Sequence, residues 1–191
     1  PAHVPEERAV LAEPLAVVVR GLKKLNPWPK EVLILGMGTL GLLALKALRA
    51  LGFSGKVYAV AKYPHQAERA LAFGAEGVFG SAKEALLERA KRYRYLLFEG
   101  YRGGYEAVLE ASGSGSGFRQ ALTLAQEGGR VLLLGAPGLD WADLSPFWFK
   151  EVGLVGSYTY SPEEFAQAVG LLPELVGLEA LIGGIFPLTD W

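Results

Sequence analysis

Residues Glu31 to Gly52 read EVLILGMGTLGLLALKALRALG. The apolar tetrad Val32–Leu35 runs into G-x-G-x-x-G at Gly36, Gly38 and Gly41, and an Ala/Leu-rich run closed by Gly52 follows. In a chain with 25 glycines the spacing alone carries little weight. Its setting, directly after a strand and opening a helix inside a βαβ unit, is what makes it informative. In that setting Gly36 supplies a tight turn, Gly38 lets backbone approach a pyrophosphate, and Gly41 lets helix and strand pack closely. The amides of Thr39 and Leu40 then point at phosphates from a helix N-terminus. The bland alternative is a glycine turn in an α/β protein with no ligand.

Outward from this unit the same alternation repeats. VYAV (57–60) predicts a strand, followed by a helix around 66–73 closed by Gly74. GVF (77–79) predicts a short strand with Ser81 capping the next helix. Ala82, Leu86, Ala90, Tyr93 and Leu97 recur at helical spacing, so that helix is expected to reach about Leu97, with a strand at 95–98 as second choice. AVLEA (107–111) and RVLLLG (130–135) predict strands around the stretch SGSGSG and a helix FRQALTLA. GLVGS (153–157) predicts a last strand, and Ser161-Pro162-Glu163-Glu164 a helix start with cap, proline and acids in order. Residues 1–25 are expected to be helical, in two pieces because Pro14 interrupts them, with the connector Asn26-Pro-Trp-Pro29 after them. Nearly continuous apolar strands joined by helices imply a parallel sheet covered on both faces. The expected fold is therefore α/β, a doubly wound domain with about six mostly parallel strands and helices on both faces.

Composition narrows the classes. Of 191 residues, 51% are hydrophobic and 20% charged, enough apolar matter for a sizeable core and too few charges for a disordered chain. A formal net charge of −1 gives no electrostatic reason to expect nucleic acid or an anionic membrane as partner. With no cysteine, neither a disulfide framework nor a cysteine zinc cluster can form within this chain. The single Met and single Asn, with Glu and Arg retained, match thermophile usage. The longest uncharged run, Val32–Leu45, is too short to span a bilayer, and no basic stretch leads into an apolar one at the start, so the expected location is the cytoplasm.

The loop at 112–116 reads as a flexible linker by composition, yet its place between a strand and a helix puts Ser112 and Gly113 at the carboxyl end of the sheet, where ligands of open α/β sheets bind. Gly135, Ala136 and Pro137 follow the next strand on the same edge. Ser157 and Tyr158, after the last strand, are expected at the cofactor as well. Tyr58 and Lys62 match Y-x-x-x-K, but in a strand they lie roughly 13 Å apart, so the match reads as coincidence. The basic cluster Arg89, Lys91, Arg92 and Arg94 reads as a solvated helix face. About twenty residues after Gly41, where an acid would hold the ribose 2′-hydroxyl of NAD, stand Ala61 and Lys62. An absent carboxylate and a nearby ammonium predict NADP as the preferred cofactor, with NAD possible.

Taken together, PEERAVLAEPLAVVVRGL (5–22), VLILGMGTLG (32–41), ERALAFGAE (68–76), EAVLEASGSG (106–115), GGRVLLLGAPG (128–138) and EVGLVGSYTYSPEEFAQAV (151–169) resemble the medium-chain dehydrogenases/reductases of the zinc alcohol and polyol dehydrogenase type. The resemblance implies a Rossmann-type cofactor-binding domain at 27–191, preceded by a helical segment at 1–26 that links it to a catalytic domain missing from the chain. The zinc ligands would lie in that missing domain, with no metal site here, and the chain alone would be inactive. Glu13, in AEPLA, matches a Glu-Pro that the resemblance places near the catalytic zinc. The resemblance also implies a homodimer joined through residues 140–157, where Trp141, Phe147, Trp148 and Phe149 precede the expected edge strand. Residues 91–104 look longer than the family's link at that point. A free-standing, non-catalytic nucleotide-binding module, such as a redox sensor, is the alternative, and a methyltransferase is a third reading, since a glycine-rich turn also serves S-adenosylmethionine.

Overall fold

The computed structural model describes residues 4–95, 98–136, 138 and 144–190. Two short helices, α1 (Glu6–Ala9) and α2 (Ala12–Lys23), open the chain. The alternating part follows as β1 (Glu31–Leu35), α3 (Thr39–Ala50), β2 (Lys56–Val60), α4 (Pro64–Ala72), β3 (Gly77–Phe79) and α5 (Ala82–Arg89). A hairpin, β4 (Ala90–Tyr95) and β5 (Phe98–Gly103), interrupts it. Then come β6 (Tyr105–Glu110), α6 (Gly115–Leu124), β7 (Ala125–Leu133), α7 (Ser145–Phe149), β8 (Gly153–Gly156) and α8 (Pro162–Leu171).

Six strands form one parallel sheet in the order β3-β2-β1-β6-β7-β8. The order reverses between β1 and β6, the signature of a doubly wound sheet. Side chains alternate between two buried faces with the period of two that a strand imposes. Val32 and Ile34 of β1, Val57 and Ala59 of β2, and Ala107 and Leu109 of β6 enter one core, shared with α2, α3, α4 and α8. Leu33, Leu35, Val60, Tyr105 and Val108 enter the other, shared with α5 and α6. Both faces are covered, as parallel strands require. At about 25 cal/mol per Å2, each fully buried Leu or Ile contributes roughly 1.5–3 kcal/mol toward folding.

The helix ends follow the sequence closely. Gly52 and Gly74 close α3 and α4 in the left-handed region, at φ +87° and +96°. Ser81 caps α5 by accepting from the Glu84 amide at 3.2 Å. Ser161 and Glu164 form a reciprocal capping box at α8, with Pro162 in the first turn. Glu164 also accepts from Arg20 of α2 at 2.9 Å, tying the first long helix to the last. The N-terminal segment is two helices, as expected, but the break falls at Val10 and Leu11. Pro14 sits inside the first turn of α2, where its missing N–H costs no helical hydrogen bond.

One expectation fails. The helix predicted to reach about Leu97 ends at Arg89, and Ala90–Gly103 form an antiparallel hairpin. A second period was present in the same residues: Arg92 and Arg94 alternate with Tyr93 and Tyr95, and aromatics favour strands. Arg94 stands directly across from Glu99, which holds both Arg92 and Arg94. Of the basic cluster, Arg92 and Arg94 thus share one face of a strand, Lys91 lies on its other face, and Arg89 ends α5. On the other side Tyr93 stacks on Phe149, with ring centroids 5.2 Å apart. Among the described residues, no helix is long and apolar enough to cross a membrane.

Candidate dinucleotide site

The turn after β1 is built by three glycines under different constraints. Gly36 takes φ +97°, and a Cβ there would lie 2.7 Å from the Ser112 amide nitrogen. A Cβ at Gly41 would lie 2.0 Å from the Gly36 carbonyl oxygen, so only glycine lets α3 start this close to β1. At Gly38, the N-cap of α3, an added Cβ would meet nothing within 4 Å. No side chain caps α3. Its first amides, including those of Thr39, Leu40 and Gly41, are left to solvent or to a ligand, and the positive end of the helix dipole lies there.

A cleft of about 530 Å3 opens at the carboxyl ends of β1, β2, β3 and β6, where the strand order reverses. Gly36, Gly38, Lys62, Tyr63, Ser112 and Ser114 line it. Four of the residues expected at a cofactor are therefore brought together here: Gly36, Gly38, Lys62 and Ser112. Lys62 is exposed at the end of β2, with Nζ 5.4 Å from the centre of the Tyr63 ring. Ala61 lies buried beside it, donating its N–H to the Phe79 carbonyl at 3.0 Å. Gly113 and Gly135 press backbone on backbone behind Ser112: a Cβ on Gly135 would stand 2.5 Å from the Gly113 amide. Ala136 is exposed beside them, and Pro137 lies outside the described residues.

Other expected residues stand elsewhere. Ser157 and Tyr158 follow β8 and are not part of the cleft lining. The Ser157 hydroxyl is buried without a hydrogen-bond partner, near Gly21 of α2, while Tyr158 is 86% exposed. Glu13 is exposed in the first turn of α2. The Tyr58 hydroxyl accepts from Arg89 at 2.6 Å and its ring packs on Phe79 and Tyr105, so it serves the core rather than a catalytic pair with Lys62. A second cleft, of about 410 Å3, lies between the hairpin and α7, lined by Tyr93, Tyr101, Phe149 and Lys150. It sits near the starts of β6, β7 and β8, at the sheet edge opposite the glycine turn. Among the described residues, no group of three or more His, Asp or Glu side chains is placed to hold a metal ion.

Sequence reasoning passed over Glu110, the last residue of β6. It is 0% exposed. Its carboxylate accepts from the Ser112 amide at 2.9 Å, from the Gly113 amide at 3.3 Å and from the Ser112 hydroxyl. Gly117 and Gly135 close in on its two oxygens, each leaving only 2.7 Å between a would-be Cβ and a carboxylate oxygen. The signal was visible: one acid ending an apolar strand, immediately before a glycine–serine loop. The loop is no linker. Ser114 caps α6 by accepting from the Gly117 amide at 3.0 Å and pairs with the Ser112 hydroxyl at 2.9 Å.

A parallel six-stranded sheet, a glycine turn at the reversal point and an uncapped helix beside an open cleft define a Rossmann-type domain. Residues 39–174 match the family model described as zinc-binding dehydrogenase, and the chain belongs to that family. It is 28% identical over its whole length to an L-threonine 3-dehydrogenase of Anaeromyxobacter dehalogenans, of which it covers 54%. It is 35% identical, over 87% of its length, to a glucose 1-dehydrogenase of Thermoproteus tenax, of which it covers 48%. The crystal structure of galactitol-1-phosphate dehydrogenase from Escherichia coli superposes with a TM-score of 0.77 at 28% identity, over 96% of this chain and 54% of that one. The chain spans about half the length of the curated relatives it matches.

Proposed function

We propose that this chain is the NAD(P)-binding domain of a zinc-type alcohol or polyol dehydrogenase, active in hydride transfer together with a catalytic domain that lies outside it. The observation that carries the reading is Gly38: a glycine at an unstrained helix start, beside a cleft, with no packing reason to lack a side chain. The pyrophosphate would take the uncapped amides of α3, and the two nucleoside arms would run along the carboxyl edge toward Lys62 on one side and Ser112 on the other. The dinucleotide, when bound, supplies the hydride-accepting or hydride-donating ring. The chain's own residues bind and orient it, and substrate and zinc belong to the other domain. In this reading residues 1–26 are the connection to that domain, and the exposed Glu13 would be available to its zinc centre as ligand or as partner of the zinc-bound water.

NADP(H) is the proposed preference. A carboxylate after β2 would repel a 2′-phosphate by about 4 kcal/mol at 4 Å and an effective dielectric of 20. Ala61 removes that repulsion, and Lys62 at the cleft rim offers a charge-assisted hydrogen bond of about 1.5–3 kcal/mol. Calorimetric titration of the chain with NAD(H) and NADP(H) tests both parts. The expected result is binding of both, with NADP(H) tighter. No heat at millimolar dinucleotide overturns the function, and equal affinity overturns the preference.

A further inference from the structure

Glu110 is a carboxylate at 0% exposure, and among the described residues it has no ion-pair partner. Burying such a charge is costly unless hydrogen bonds replace the lost water. Here all the replacement comes from one turn: the amides of Ser112 and Gly113 and the Ser112 hydroxyl. That turn forms one wall of the cleft, and the Gly36 backbone, the opposite wall, lies hard against it, with 2.7–2.9 Å between a would-be Gly36 Cβ and Ser112 atoms. Because a carboxylate only accepts, the Ser112 hydroxyl proton points inward to it. The Ser114 hydroxyl lies 2.9 Å from the Ser112 oxygen and 3.2 Å from the Ser116 oxygen, either of which can take its proton, and itself accepts the Gly117 amide at 3.0 Å. Of the three serines that line the cleft, Ser112 commits its proton to the carboxylate and Ser114 has protein acceptors for its own, while Ser81 stands across the cleft at the start of α5. A phosphate at the glycine turn is thus left to the amides of α3.

We propose that Glu110 is the positioning residue of the dinucleotide site: its buried carboxylate fixes the Ser112–Gly113 turn against the Gly36 turn and so sets the width of the cleft and the direction of its serine hydroxyls. The inference rests on the function proposed above. Glu110→Gln keeps the shape but sets an N–H against an amide N–H of the turn. The expected outcome is a Kd for NADH and NADPH raised tenfold or more. Hydrogen exchange at Ser112 and Gly113 should accelerate while the Gly36 amide, bonded to Val60, keeps its protection. Leu175→Ala, a core truncation remote from the cleft, is the control for general destabilisation and should bind within threefold of wild type. If Glu110→Gln fails to fold, Glu110→Asp, which withdraws the carboxylate by one methylene, should fold and bind less tightly. A folded Glu110 variant that binds like wild type, or a Leu175→Ala loss equal to that of Glu110→Gln, overturns the inference. A wild-type chain that binds neither dinucleotide overturns instead the function on which it rests.

Discussion

At Gly38 a side chain would meet open space, whereas at Gly36 and Gly41 it would strike backbone, and this separates a glycine kept for a ligand from two kept for the fold. Gly38 has φ −77° and ψ −164°, which alanine adopts freely. Gly38→Ala should therefore leave stability unchanged or raise it by about 0.4–1 kcal/mol through the unfolded chain. It should also weaken dinucleotide binding tenfold or more, because the methyl group occupies the path of the pyrophosphate. A thermal melt and a titration on one sample check both halves, and unchanged affinity would remove Gly38 from the site. Gly41→Ala should instead lower Tm sharply, since its Cβ would stand 2.0 Å from the Gly36 oxygen. At the other end of the cleft, Ala61→Asp should move preference toward NAD(H), and Lys62→Ala should weaken NADP(H) about tenfold while sparing NAD(H). Equal losses for both cofactors would mean that Lys62 does not read the 2′ position.

Elements with two agreeing local signals were legible in the sequence, and those with competing signals were not. The end of α3 was marked by Gly52 after an unbroken Ala/Leu-rich run, and the start of α8 by Ser161, Pro162 and Glu164 together. Residues 82–97 carried a helical period and a strand period at once, and from Ala90 on the strand period is the one realised, paired antiparallel with Phe98–Gly103. Glu110 was missed although its hydrogen-bond partners, Ser112 and Gly113, lie two and three residues on; only Gly135, which closes over it from the loop after β7, lies beyond a local window. Lys150, between α7 and β8, is a further case. Burial pushes its ammonium down to about 8 from an ordinary 10.5, against an opposing pull from Glu127. Its Nζ donates to the Thr123 carbonyl at 2.9 Å, the end of α6. Between pH 8 and 10.5 the folded chain holds fewer protons at this site than the unfolded one, so stability rises with pH across that window. Below pH 8 both states carry the charge and the full cost of burial is felt. Denaturant unfolding at pH 7 and pH 9.5 should show wild type gaining stability relative to Lys150→Met, and parallel pH profiles would count against it.

At the scale of the whole molecule, the sheet has two edge strands, β3 and β8, and among the described residues it is β8 that carries an exposed large apolar side chain. The sheet ends there, and Gly153–Gly156 leave one row of amides and carbonyls without a strand partner in the sheet order. Edge strands are commonly guarded by lysine, proline or a bulge. This one reads GLVG, pairs with β7 in unbroken register, and has Leu154 43% exposed, with Trp148 of the preceding α7 65% exposed. A second copy meeting it across a two-fold axis would continue the sheet from β8 to β8 and cover both side chains, in keeping with the homodimer that the sequence resemblance implies. Residues 140–143 of the expected contact region lie outside the described residues, and α7 and β8 form the rest of it. Light scattering should give twice the chain mass of 20.5 kDa. Leu154→Lys and Trp148→Glu each place a charge on an already exposed position and should leave the melt of the isolated fold nearly unchanged while shifting the mass to that of a single chain. A wild-type chain that is monomeric at tens of micromolar, or folded variants that both stay dimeric, would remove β8 from the interface.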